Sequence, residues 1–373
     1  MSQKLNIALF AHSMVSDWNH GNAHFLRGLM RELVRMGYGV RCYEELGSWS
    51  LTNLMKSEGE RAIEAIDSFR RTYSELDIRF YKSSDAEFQQ FLEDELKDTH
   101  IVLLHEWNDP QVVNRVLALK KKYGFIALFH DSHHRAHTRA GEILKFHLHL
   151  VDGVLAFGEA IRRIYADGFG VQRVWTFHEA ADIEQFHPLR RDKMIDVVWV
   201  GNWGDEERSA ELDEFLIRPA TALRDLRVVA HGVRYPEIAL RKLAAANIEY
   251  RGYLPNILSP QVYAESMATV HIPRRQYANG LAGIPTIRVF EALACGIPLV
   301  CSPWSDEEKL FRPGEDYVIV HDAEEMAAEL QNLRRDPRAR HQLAENGLKT
   351  IRDRHTCAHR AQELISICQE IAG

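Results

Sequence analysis

Short β-forming apolar runs alternate with longer segments of helical period along most of the chain, in two successive series. The first series predicts strands at 5–11, 40–44, 78–81, 101–106, 125–130, 153–157 and 174–177. The second predicts strands at 195–201, 227–230, 248–252, 269–272, 298–302 and 318–320. Between them lie helical patterns such as 24–36, with Phe25, Leu26, Leu29, Met30 and Leu33 on one face. The runs IVLLHEW and FIALFHD are apolar on consecutive positions, which calls for strands covered on both faces, as in a parallel sheet between helix layers. Two such series imply an α/β chain of two doubly wound halves. The polar, proline-containing stretch 179–194 reads as their connection. The expected division is 1–182, 183–355 and a terminal helix over 356–373 that packs back on the first half. The part from 323 to 371 reads as helical, with breaks near 336–337 and 355–356. Ligands of such sheets bind beyond the carboxyl ends of the strands, at a topological switch point. The site is therefore expected at those ends, in a cleft between the halves.

A length of 373 residues fits two domains. With 46% hydrophobic and 27% charged residues, the composition is that of a soluble globular protein. A net charge of -7 argues against a nucleic-acid binder but leaves room for a local cationic pocket. The five cysteines form no CxxC pair, so reduced thiols and a cytoplasmic location are expected. No apolar run approaches the roughly 20 residues of a membrane span. The opening MSQKLNIALFAHSM reads as a first strand, not a leader.

The segment 278–303, ANGLAGIPTIRVFEALACGIPLVCSP, is the most informative. Gly280 and Gly283 make a flexible loop, Pro285 stops any earlier helix, and Thr286 is an N-cap candidate. A helix over 287–295 opens at Ile287 and ends at Gly296. Its free N–H groups and partial positive charge suit a phosphate, and Arg288 adds a forked cation. Glu291, on the same face, can accept from ribose hydroxyls. An ordinary Arg–Glu surface pair is the other reading. Gly201 and Asn202 open the loop after 195–201, and Arg208 stands beside the next helix start. A solvated DEER cluster is the alternative there. Arg274 and Arg275 follow another strand, where either phosphate or plain solvent is possible. In the first half, Gly21 and Asn22 open a helix after the first strand, with His20 just before. His105 and Glu106 end one strand, and His130, Asp131, His133, His134, Arg135 and His137 follow the next. His178, Glu179 and Asp182 lie beyond the last. Imidazoles beside carboxylates can orient or deprotonate a hydroxyl. The histidine spacing of three and four also admits a metal, but Asp131–Ser132 suggests a loop and no HExxH occurs, so no metal site is expected. His147 and His149 read as packed or surface residues.

RVFEALACGIPLV and the Gly-rich loop before it resemble the donor signature of GT-B glycosyltransferases, most closely the CgeB-like (spore-maturation-type) branch related to retaining family-four enzymes. HGNAHFLRGLMRELVRMGYGV, the loop after VVWVGNW, HGVRYP and the terminal helices extend the resemblance over most of the chain. It implies a GT-B fold of two Rossmann-like domains with parallel sheets facing a central cleft. The donor would lie mainly on the C-terminal half and the acceptor on the N-terminal half. Glu291 would hold the ribose, Arg208 the diphosphate, the loop at Gly21 the donor, and His231–Pro236 the region of the base. Many family-four enzymes carry a further Glu where this chain has Gly283. The expected activity is transfer of a sugar from a nucleotide-diphosphate sugar to an unidentified acceptor (small molecule, glycan or protein). Retention is implied, without cofactor or metal. No Asp-x-Asp triplet is present, since Asp205 precedes Glu206 and Glu207, so Arg208, Arg288 and Arg274 or Arg275 would stabilise the leaving group. Were the reaction inverting, His105, Glu106, His133 or Glu179 would be the base. A GT-B sugar-nucleotide epimerase and a non-catalytic nucleotide-sugar-binding module are the competing readings.

Overall fold

Each apolar run forms a strand, because a strand enclosed on both faces must be apolar at consecutive positions. The computed structural model describes residues 5–373, apart from the side chain of Asp205. Residues 1–4, which open the stretch read as strand and not leader, lie outside the described residues. The first sheet contains β1 (Asn6–Ala11), β2 (Gly39–Glu45), β3 (Asp77–Tyr81), β4 (Ile101–His105), β5 (Ile126–Asp131), β6 (Gly153–Ala156) and β7 (Val174–Thr176). Their order is β3-β2-β1-β4-β5-β6-β7, all parallel. Ile7 to Ala11 of the central strand have no exposure at all.

The second sheet contains β8 (Ile195–Val200), β9 (Val228–His231), β10 (Ile248–Tyr250), β11 (Ser266–His271), β12 (Leu299–Cys301) and β13 (Val318–Ile319). It runs β10-β9-β8-β11-β12-β13, again all parallel. β11 starts three residues before its apolar core because Ser266 already pairs with Ile195. Under this sheet Trp199 is 2% exposed, and its burial stabilises the unit by about 2–3 kcal/mol.

The chain divides into one unit of residues 1–179 with 357–373, and another of 180–356. The helix Cys357–Ala372 lies against the helix Ala23–Arg35 within the first unit. Asp322 and Asp336 cap the helices Ala323–Arg335 and Pro337–Arg354 by accepting from two backbone N–H groups each. Pro337 occupies the first turn of the latter, where its missing N–H costs nothing. No helix of the described residues is long and apolar enough to cross a membrane.

Both sheets reverse their strand order once, between β1 and β4 and between β8 and β11. The loops leaving these four strands carry most of the residues singled out above.

Candidate functional site

In the C-terminal unit, the loop after β8 is tied to its neighbours. The Gly201 N–H donates to the His231 carbonyl (2.9 Å), its carbonyl accepts from the Tyr235 hydroxyl (2.8 Å), and Asn202 Oδ1 accepts from the Val233 N–H (3.0 Å). Arg208 then folds back over the Trp199 ring, at 5.1 Å. Its guanidinium donates to the Ile272 carbonyl (3.2 Å) and to the Asn202 carbonyl. Gly204, at φ +78°, leaves the necessary room: a Cβ there would stand 3.0 Å from Arg208 Nε.

Among the described residues Arg208 makes no ion pair, and its buried Nε has no hydrogen-bond partner. Burial first, then the charge of Arg274, pushes its pKa down to about 9. A guanidinium holds its proton under physiological conditions. The shift expresses partial loss of water and the neighbouring arginines, opposed in part by Tyr235 and Glu207. Arg288 adds to the same positive field. The DEER stretch is thus no uniform solvated run, for its arginine is turned inward.

The other cations are engaged. Arg274 pairs with Glu207 (2.9 Å) and Arg275 with Glu211 (2.5 Å), tying the chain after β11 to the loop after β8. A π-helical turn, Gln276–Gly280, leads on toward Gly283. Such turns recur at functional sites. Gly283 sits at φ +90°, and a Cβ on it would lie 3.1 Å from Glu308 Cγ and 3.3 Å from Glu308 Oε1. A second carboxylate, distant in sequence, covers the space that a side chain at 283 would occupy.

The helix Ile287–Ala294 is buried on all sides: of its eight residues only Arg288 escapes full burial. Glu291 therefore has no exposure, and Oε1 accepts from Asn256 Nδ2 (2.6 Å) while Oε2 pairs with Arg288 Nη1. The Arg–Glu contact exists but is not on the surface. Thr286 has the extended backbone of an N-cap, yet its side chain makes no capping bond, contrary to the expectation. Its hydroxyl is 3.0 Å from Nε2 of His271, a residue the sequence pattern did not single out. His231 is another buried imidazole at a strand end. Neither of its ring nitrogens makes a hydrogen bond of good geometry, although the Gly252 backbone lies close, and burial takes its pKa down to about 4.

The N-terminal unit is arranged differently. The loop after β1 is held from both sides. Fully buried Arg27 donates to the Met14 carbonyl (2.7 Å), the Val15 carbonyl (3.1 Å) and Asp17 Oδ2 (2.9 Å). Buried Glu44 accepts from the Met14 N–H (2.8 Å) and the Val15 N–H (3.0 Å). Gly21 forms the turn into the helix, its carbonyl accepting from the His24 N–H (3.3 Å). Asn22 stands at the N-cap position but caps nothing; its Nδ2 donates to Ser132 Oγ (2.6 Å). Ser132 also meets His105 Nε2 at 2.9 Å.

His12, His20, His105 and His130 form a chain of rings with centroids 5.5–5.8 Å apart. Burial lowers all four pKa values, to about 4 for His12 and His130, so these rings are neutral near pH 7. Glu106 is fully buried and paired with Arg135, which stacks on Trp107 at 4.1 Å. Burial raises its pKa, and that of neighbouring Asp131 to about 6. His105 and Glu106 have no exposure, so neither side chain is open to an acceptor here. His133 keeps partial exposure beside Trp107, at 4.9 Å between rings. His130 lies on β5, His133 and His134 on the following loop, and His137 on the short helix Arg135–Thr138. Among the described residues no three His, Cys, Asp or Glu side chains are grouped to hold a metal ion. His178 lies 3.3 Å from the Phe157 carbonyl, and Glu179 is buried.

Residues 208–366 match the family model described as glycosyl transferase-like, which begins at Arg208. No curated protein matches the sequence. Among solved structures the chain is similar to a glycosyltransferase from Rickettsia africae ESF-5, at 11% identity, covering 99% of both chains with a TM-score of 0.66. It is similar to Anabaena HepE in complex with UDP-glucose, at 11% identity, covering 98% of this chain and 100% of that one, with a TM-score of 0.68. Sucrose-phosphate synthase from Thermosynechococcus elongatus is similar at 12% identity, covering 99% of both, with a TM-score of 0.65. The fold is that of these GT-B glycosyltransferases: α/β, with two parallel sheets and flanking helices.

Proposed function

We propose that this chain, with a glycosyl transferase-like segment on a GT-B fold, transfers a sugar from a nucleoside-diphosphate sugar to an acceptor hydroxyl. One observation carries the reading: Arg208, at the switch point of the second sheet, is a half-buried cation with no ion pair of its own, held by two carbonyls and the Trp199 ring. A partly desolvated charge without a paired counter-ion is costly. A diphosphate would supply that counter-ion, and its charge grows as the glycosidic bond breaks. The first turn of the helix Ile287–Ala294 adds oriented dipoles to the same task. In this reading no metal ion is required for the leaving group.

Glu291 meets the ribose once Arg288 turns from it toward phosphate, and Asn256 keeps the carboxylate oriented. His231 offers two unengaged ring nitrogens to the base. Glu308, which lies where a side chain at 283 would stand, would be the carboxylate to meet sugar hydroxyls. The acceptor belongs to the N-terminal unit, with half-exposed His133 and Trp107 as its contacts. In the retaining course, the acceptor oxygen bonds to the anomeric carbon as the diphosphate leaves with the bonding electrons. The acceptor proton passes to the departing phosphate. All five cysteines are free, in keeping with a cytoplasmic enzyme. The CgeB-like branch remains the assignment we favour, on the RVFEALACG segment.

Incubation with UDP-, GDP-, ADP- and dTDP-sugars, with and without sugar acceptors, tests the proposal by product analysis. Transfer to an acceptor is expected. Isomerised sugar nucleotide would show an epimerase, and saturable binding without turnover a binding module.

A further inference from the structure

We infer that His271 is a positioning residue that aims the Thr286 hydroxyl at the donor's diphosphate; the inference rests on the function proposed above. An N-cap threonine ordinarily accepts from N–H groups of its own helix's first turn. Thr286 has the N-cap backbone, at φ -81° and ψ 162°, but makes no such bond. Its hydroxyl instead lies 3.0 Å from His271 Nε2, at the carboxyl end of β11. His271 is 3% exposed, and its Nδ1 is buried with no partner.

The two ring nitrogens therefore differ in what a proton would cost. A proton on Nδ1 would bury an N–H without an acceptor. A proton on Nε2 is met by Thr286 Oγ1 and leaves only a lone pair at Nδ1, which costs less. Burial and the Arg208 charge keep the ring from taking a second proton, with a pKa near 3. Nε2–H then donates to Thr286 Oγ1, and the threonine's own O–H is left to donate elsewhere. Thr286 is partly exposed at the head of the helix beside Ile287, where the diphosphate is proposed to lie. The imidazole fixes the hydroxyl's orientation without touching ligand, while Arg208 binds the anion.

The test is calorimetric titration with whichever of UDP, GDP, ADP and dTDP binds most tightly, set against its nucleoside. His271→Met fills the same buried space without a donor, and His271→Gln retains one. We expect His271→Met and Thr286→Val each to weaken the nucleoside diphosphate about tenfold, the loss of one oriented hydrogen bond to a charged group. Nucleoside affinity should not change, and His271→Gln should stay within about twofold of the unaltered protein. The double variant should bind no more weakly than Thr286→Val alone, since the histidine acts through the threonine. Losses that multiply, equal losses for nucleoside and diphosphate, or an unaffected His271→Met would overturn this inference and leave the proposed function standing. Failure of the unaltered protein to bind any of the four would overturn both.

Discussion

The first switch point is richer in buried polar groups than the second, and the two treat their central arginines in opposite ways. Beyond β1 and β4, Arg27 is met by Asp17 and two carbonyls, Glu44 by two backbone N–H groups, and Glu106 by Arg135. Beyond β8 and β11, Arg208 is met by carbonyl oxygens and the Trp199 ring, with Arg274 and Arg288 adding to its positive field and Glu207, itself paired with Arg274, opposing it in part. Internal compensation makes a rigid frame, because removing either partner strands the other in a low-dielectric interior. A cation without an ion pair of its own makes a receptor, because its paired counter-ion arrives with the ligand. The contrast separates residues that shape a site from the one that defines its chemistry.

The contrast would break first at Arg208. Arg208→Ala should lower turnover of the accepted sugar nucleotide by about 100- to 1,000-fold, as loss of a preorganised charge stabiliser does. Its thermal midpoint should stay level or rise; a marked fall would make Arg208 structural. In the N-terminal unit the expectation inverts. Glu106→Ala should cost about 3 kcal/mol in denaturant unfolding by removing the buried partner of Arg135, which is left with the more exposed Glu142 at 3.4 Å, while nucleoside diphosphate affinity holds. Stability unaffected by that change would remove the frame from the account.

Acid should act on both units. His12, His20, His105, His130, His231 and His271 all have folded pKa values below 6.5. The unfolded chain therefore takes up protons first as pH falls, and stability present above about 6.5 is lost toward pH 4. Asp131, Glu44, Glu106 and Glu329, with raised values, oppose this, but six imidazoles outnumber four carboxyls. Urea midpoints at pH 7.5 and 5 check the sign: the lower pH should be less stable. The smallest effect belongs to Tyr165→Phe, which removes the 2.7 Å bond to Asp131 Oδ2 and should cost about 1 kcal/mol in the same assay.

Strand positions were legible because parallel strands announce themselves as continuous apolar runs, and each of the predicted segments is a strand. The helix break near 336–337, the start at Ile287 and the stop at Gly296 followed from local backbone preference. Pairing across the chain was not legible. Asn256 reaches Glu291 over 35 positions, and His271 reaches Thr286 over 15. Thr286 and Asn22 carry the residue types of caps, but tertiary partners take their side chains. The functional meaning of Arg208 lies in what it lacks. A run of charged letters does not show which of them is turned inward.

The most direct test is a crystal structure of the protein soaked with UDP-glucose, or with the sugar nucleotide that product analysis selects. The account predicts diphosphate oxygens within about 3 Å of the Arg208 guanidinium and at the head of the helix Ile287–Ala294. A nucleotide bound elsewhere, with Arg208 still facing only carbonyls, would contradict it.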